Sequence, residues 1–360
     1  MPKPEPLDLS KLKMLPLAKR DSMTSIDEVL IDPASNPPDC TASQRGQIAQ
    51  CAATIRAARE KNAGVMIIFG AHLIKNGAHQ ILDRLMAGGW LTHLATNGAS
   101  VIHDWEWAHH GRSTESVRTN VATGTFGTWD ETGRNIHLAV LTGATRDEGF
   151  GESIGRFVEE DGMTLPELVD LENNPTPANT ELLAAMREHN LAPGRHEVAH
   201  PWKQTSVLAS AFRHGVLLTV HPGIGYDIIS NHPMFNGAAL GRAADLDFRL
   251  FGGSVETLDH GVVLSVGSAI MGPQVFEKSI SCVNNLRLQA GRKIVREHSI
   301  YVVDIQNGGG WDWSQGEPPT DNPAYYLRFC KSYARMGGTM HYAQCDNIAF
   351  MHHLLNELEQ

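Results

Sequence analysis

The chain is poor in cysteine, in positive charge and in long apolar runs. Its five cysteines (Cys40, Cys51, Cys282, Cys330 and Cys345) form no C-x-x-C pair, and their number is odd. This argues against a zinc ribbon and a disulfide scaffold and points to reduced thiols in a cytoplasmic protein. No stretch approaches the ~20 apolar residues of a membrane span. The opening MPKPEPLDLSKLKMLPLAKRDS carries charge throughout, unlike a secretory leader. There are 30 Lys and Arg against 40 Asp and Glu, for a net charge of −10 with neutral histidine. With no basic stripe to meet phosphates, nucleic acid is not an expected partner, and neither is a membrane. G-x-G-x-x-G, the Walker pattern and H-E-x-x-H are all missing, as are tandem repeats.

What remains is a core-forming composition. The chain is 42% apolar and 19% charged over 360 residues, enough for one large α/β domain. Residues 1–38, rich in Pro, Lys and Asp, read as an extended arm that wraps the domain or a neighbouring subunit. Residues 39–360 read as a single α/β domain with a helical insertion near 151–200. Helical spacing is clear at 42–60, 76–89 and the C-terminal NIAFMHHLLNELEQ. Thr164 and Thr176 precede prolines and are expected to cap helices. Apolar runs at 63–73, 91–96, 215–220, 262–266 and 298–304 read as strands, and NIHLAVLTG (135–143) as a further strand. Strands end in Gly, Ser or Asn and are followed by helices, which predicts βαβ units and a mostly parallel, Rossmann-like sheet with helices on both faces. Ligands then bind beyond the carboxyl ends of the strands.

The loops at those ends carry the candidate chemistry. Gly70-Ala-His-Leu-Ile-Lys-Asn76-Gly77 and Thr96-Asn97-Gly98-Ala-Ser both follow strands and precede helices, so their backbone N–H groups are free to approach a phosphate. The alternative is close helix–strand packing. Directly after the second turn come His103 and Asp104, a pair suited to a base, a ribose ligand or half a metal site. His109 and His110 lie a further turn or two along and read as a solvated face. In HPGIGYD, His221 ends a strand, two glycines give a tight path and Asp227 follows, with His232 shortly after. These three could serve as catalytic groups or, with His103, ligate zinc or iron. Asp312 stands between Trp311 and Trp313, where an organic ammonium would be welcome; the alternative is that both indoles cap the core.

Taken in order along residues 60–355, these segments resemble the deoxyhypusine synthase family. The carriers are FGAHLIKNGAHQILDRLMAGGWLTHLATNGASVIHD, NGAALG, VVLSVGSAIMGPQ, YVVDIQNGGGWDWS and HYAQCDNIAFMHHLL. The resemblance implies a Rossmann-like homotetramer that binds NAD and oxidises a polyamine before transferring its aminobutyl group. It implies cofactor contacts at Gly70, Asn76, Gly77, Thr96, Asn97, Gly98, Asp104 and Asp346, and substrate contacts at Asn236 and Trp313. Two departures matter. The family's catalytic lysine and paired histidines fall on Met271, Gly272 and Pro273, and a thioether cannot form an imine. Acidic positions of the family fall on Ile102 and His103.

Three functions are therefore open. One is an NAD-dependent oxidoreductase or transferase on a small amine, with His221, Asp227, His232 and Asp312 as its catalytic residues and no hypusine formed. The second is a metal-dependent enzyme, possible as a hydrolase, on the His/Asp set. The third is a ligand-binding protein without turnover.

Overall fold

The computed structural model describes residues 3–360. Six strands form one all-parallel sheet: β1 Val65–Phe69, β2 His93–Thr96, β3 Leu217–Val220, β4 Val262–Val266, β5 Ser299–Asp304 and β6 Thr339–Gln344. Their spatial order is 3-2-1-4-5-6, so the chain reverses direction across the sheet between β1 and β4. The central strands β1 and β4 are buried at every position. That is why they read as continuous apolar runs without alternation.

Helices cover both faces, making the fold Rossmann-like. Val65, Ile67 and Phe69 point into one core with α1 (Ala42–Glu60), α2 (His79–Ala87), α3 (Gly98–His110) and, at the C-terminus, the helix Asn347–Glu359. Met66 and Ile68 point into the other, against Phe251, Val255, Phe276 and Ile280. Each such side chain taken from water stabilises the fold by about 1.5–3 kcal/mol. Local signals agree with the packing. Thr41 and Gln44 close a capping box at the start of α1, and Gly111, at φ +64, ends α3 in the left-handed region.

Two expectations are corrected. Residues 135–143 lie in the helix α4 (Asp130–Ala144), not in a strand. From Asn135 to Ala144 every residue is buried, so no apolar period marks the helix. Thr164 lies in a strand, Gly162–Leu165, that pairs antiparallel with Gly194–Glu197. The segment after α5 (Phe150–Glu159) is thus a β-ribbon carrying helices, among them α6 (Pro177–Glu188), which Thr176 does cap. Three more long helices complete the domain: α7 (Val207–His214), α8 (Gly237–Val255) and α9 (Met271–Gln289); α10 denotes Asn347–Glu359.

The N-terminal arm lies along its own chain. Thr24 and Ser25 pair with Ser113 and Arg112. Leu17 and Ile26 are buried, and so is the side chain of Arg20. All five cysteines are free thiols. No helix among the described residues is long and apolar enough to cross a membrane.

Candidate functional site at the carboxyl edge of the sheet

In a sheet of this order the crevice lies where the strand order reverses, between the ends of β1 and β4. Gly70 ends β1 and Gly267 ends β4. A methyl group on Gly70 would overlap the carbonyl oxygen of Gly267. Gly267 has φ +59, and a side chain there would come within 2.5 Å of Asn347 Nδ2. Gly70 is thus required by close backbone approach, and Gly267 by its left-handed conformation. Asn347 opens α10, and its Oδ1 is buried without a hydrogen-bond partner. It is one of fifteen buried side-chain nitrogens and oxygens without a partner among the described residues, and it adjoins the reversal point. Nearby, Ser268 Oγ accepts from Gly272 N at 3.1 Å.

The second turn is already engaged. Thr96 Oγ1 donates to Phe69 O at 2.9 Å and clamps β2 to β1. Asn97 caps α3, its Oδ1 accepting from Ser100 N and Oγ. The carboxylate of Asp227 sits at the start of α3: a Cβ on Gly98 would lie 2.7 Å from Asp227 Oδ2, and Gly223 N donates to that oxygen at 2.9 Å. The partial positive charge of the helix start favours an anion there, and in this structure the chain supplies its own. Burial raises the Asp227 pKa, while the N–H groups of Gly223, Gly98 and Ala99 pull it down.

Several expected site residues do other work. Asp104 does not face the crevice. It is fully buried and accepts from Ser206 Oγ at 2.5 Å and from Val207 N at 2.7 Å, tying α3 to the start of α7. Asn236 caps α8, and Asp346 caps α10. Gly77, at φ +86, is pressed against Val29 of the arm, and its carbonyl accepts from Ile31 N; Asn76 is the exposed end of a five-residue helix beside it. Asp312 is exposed and accepts from Ser314 and Gln315, which hold its pKa down. The Trp313 indole is buried, donates to Gly308 O and forms part of the wall of a cavity. Asp312, Trp311 and the stacked rings of Tyr301 and His341 border the same cavity, of about 430 Å³, beside β6.

His221, Asp227 and His232 are not brought together. His221 packs edge-on against Phe251, its Nε2 3.1 Å from Thr219 Oγ1, and burial pushes its pKa down to about 4. His232 Nδ1 accepts from Met234 N, and its Nε2 lies 3.6 Å from Asp130. Among the described residues no three His, Cys, Asp or Glu side chains converge as a metal would require. The metal reading therefore loses its ligand set.

A second cavity, of about 260 Å³, opens beside α3, between the arm and Tyr226-Asp227-Ile228. Its floor is ionic. Arg20 grips Glu106 with two bonds of 2.6 and 2.7 Å. Ser113 Oγ and Thr132 Oγ1 also donate to Glu106, at 2.6 and 2.9 Å. Burial opposes the Glu106 charge, but the Arg20 guanidinium and these donors outweigh it, and the pKa falls below its ordinary value. His103 lines the cavity, its Nδ1 2.7 Å from Ser113 Oγ. Burial lowers its pKa to about 4, against the pull of Glu106. Sequence alone gives no role to Arg20, Lys75, Glu106 or Ser113. Glu106 and Ser113 stand beside His103 in sequence; only the fold supplies Arg20.

On the expected lysine, the structure is specific. Met271, Gly272 and Pro273 are buried at the start of α9, while Lys278 is exposed and pairs with its neighbour Glu277.

No family profile and no curated protein matches the chain. Solved structures resemble it at fold level. Unliganded AgrE aligns at 13% identity and TM-score 0.44 over 89% of this chain and 34% of that one. A candidate LOR/SDH protein from Methanococcus maripaludis S2 aligns at 14% and 0.42, over 91% and 73%. A candidate deoxyhypusine synthase from Entamoeba histolytica aligns at 10% and 0.33, over 72% and 80%. The chain spans about a third of the length of AgrE.

Proposed function

We propose that the protein is an NAD-dependent enzyme acting on a small amine at the carboxyl edge of its sheet. The observation that carries this reading is the 3-2-1-4-5-6 strand order, with two obligatory glycines at the point of reversal. Gly70 and Gly267 let the two strand ends close on each other at the reversal, and Asn347 Oδ1 beside them would offer a dinucleotide an unmet acceptor. Bound there, the nicotinamide would supply hydride exchange. The chain's own part is to bind, orient and hold charge. Asp227 borders the neighbouring cavity and would be the acid that meets a substrate cation. Because α9 presents no amine at its start, the reading does not include aminobutyl transfer through a lysine.

Calorimetric titration with NAD⁺ and NADH tests this. Micromolar binding is expected, weakened at least tenfold by Asn347→Leu, a change that removes an unmet polar atom and leaves the circular dichroism spectrum unaltered. Absence of binding by either nucleotide would leave a ligand-binding protein without redox turnover.

A further inference from the structure

The cavity beside α3 contains a histidine whose protonation pattern is fixed by its neighbours. Glu106 is held ionised by Arg20, so it only accepts. Ser113 has one proton and spends it on Glu106 Oε2 at 2.6 Å. Its oxygen can then only accept from His103 Nδ1, 2.7 Å away. His103 therefore carries its proton on Nδ1 and leaves the Nε2 lone pair for the cavity. Such a second group setting the tautomer is the usual way a histidine is made into a directed base.

The other lining groups complete a pattern. Lys75 lines the cavity and makes no ion pair among the described residues, yet lies near enough to disfavour a charged His103. Glu115 is already occupied by Asn120 Nδ2, Gly127 N and Trp129 Nε1. With Arg20 and Glu106 paired, the charges around the space that lack a counter-ion are one ammonium, on Lys75, and two carboxylates, on Asp227 and Glu115, each already holding neutral donors. Ile102, Val117 and Phe126 supply apolar wall.

We infer that this cavity binds an α-amino acid with an apolar side chain, its carboxylate on Lys75 and its ammonium between Asp227 and His103 Nε2. His103 Nε2 accepts one hydrogen bond from the ammonium, while its Nδ1–H stays on Ser113, whose hydroxyl donates to Glu106. Ser113 and Glu106 are positioning residues. The inference names the amine of the proposed function, but binding itself needs no dinucleotide.

The test uses the full chain without nucleotide. Calorimetry compares L-leucine with 3-methylbutylamine, which lacks the carboxylate, and 4-methylpentanoate, which lacks the amine. L-leucine should bind at least tenfold more tightly than either. Lys75→Met should remove that advantage over the amine and leave amine binding unchanged. Nitrogen-15 spectra of histidine-labelled protein at pH 7 should show His103 neutral and protonated on Nδ1, and Ser113→Ala should release it to a mixture of tautomers. An Nε2-protonated or charged His103, or equal affinity for the three ligands, overturns the inference. Preference for a 2-hydroxy acid over L-leucine would also overturn it. If NADH binds and L-leucine does not, the inference fails and the dinucleotide reading stands; the reverse pattern fails the dinucleotide reading alone.

Discussion

Asp104 and Glu106 stand two residues apart on α3, both buried, and they behave as opposites. Asp104 looks toward α7 and meets only neutral donors. Burial raises its pKa to about 6, against the pull of those bonds. Glu106 looks toward the arm and meets a guanidinium and two hydroxyls, which hold its pKa below the ordinary value in spite of burial. A buried acid is thus a helix cap or the anchor of a polar network according to what the fold brings to it, not according to its own type. The network side is the one that borders a cavity.

The largest expected break is Glu106→Gln. It leaves the Arg20 guanidinium buried without a counter-charge, which costs about 3–5 kcal/mol, read as a lower denaturant midpoint. Asp104→Asn keeps one acceptor at the start of α7 and should cost less, about 1–2 kcal/mol. If the two variants lose equal stability, the contrast between cap and anchor is wrong.

Acidity separates the two next. The Glu106 contribution is present above the ordinary carboxyl range and is lost as pH falls through its lowered value. Asp104 works the other way, since the folded protein keeps its proton up to about pH 6 and loses stability as pH rises through that window. Asp247, raised to about 7 by burial, behaves likewise. Against these two aspartates stand seven histidines that burial holds at about 3 to 4: His79, His93, His103, His137, His200, His221 and His298. The unfolded chain protonates them first, so stability falls as pH drops from 6.5 toward 4. The histidines outnumber the aspartates, and the net expectation is acid unfolding in that interval, with Asp104→Asn steepening the loss. A melting temperature that rises between pH 6.5 and 5 would contradict this.

The smallest effect concerns the helix start. Gly98→Ala puts a methyl 2.7 Å from Asp227 Oδ2. It should displace that carboxylate and alter ligand binding in the α3 cavity, with at most about 1 kcal/mol lost in stability. Unchanged binding would mean that Asp227 does not face the ligand.

The Rossmann-like class was legible in the sequence because the apolar runs ending at Gly70, Asn97 and Gly267 are each followed by a helix with an apolar face. Strand order was not legible, since nothing in Val262–Val266 says that it pairs with Val65–Phe69 and not with its predecessor in the chain. α4 was misread because burial on all sides erases periodicity. Asp104 drew attention by its place after a glycine turn, but its partners lie about 100 residues away. His221, Asp227 and His232 looked like one site because they are close in sequence. The fold gives each its own partners: Thr219 and Phe251 for His221, Gly98 and Gly223 for Asp227, Met234 and Asp130 for His232. Arg20 sat in a segment with no period at all, and its pairing with Glu106 across 86 positions is visible only in three dimensions.

A dinucleotide bound at the reversal point between β1 and β4 would shield the chain there from solvent, which hydrogen exchange with and without NADH reads directly. Slowed exchange is expected at the ends of β1 and β4, around Gly70 and Gly267–Ser268, and at the start of α10 beside Asn347. Unchanged exchange at all three, or protection confined to the cavity beside α3, would contradict it.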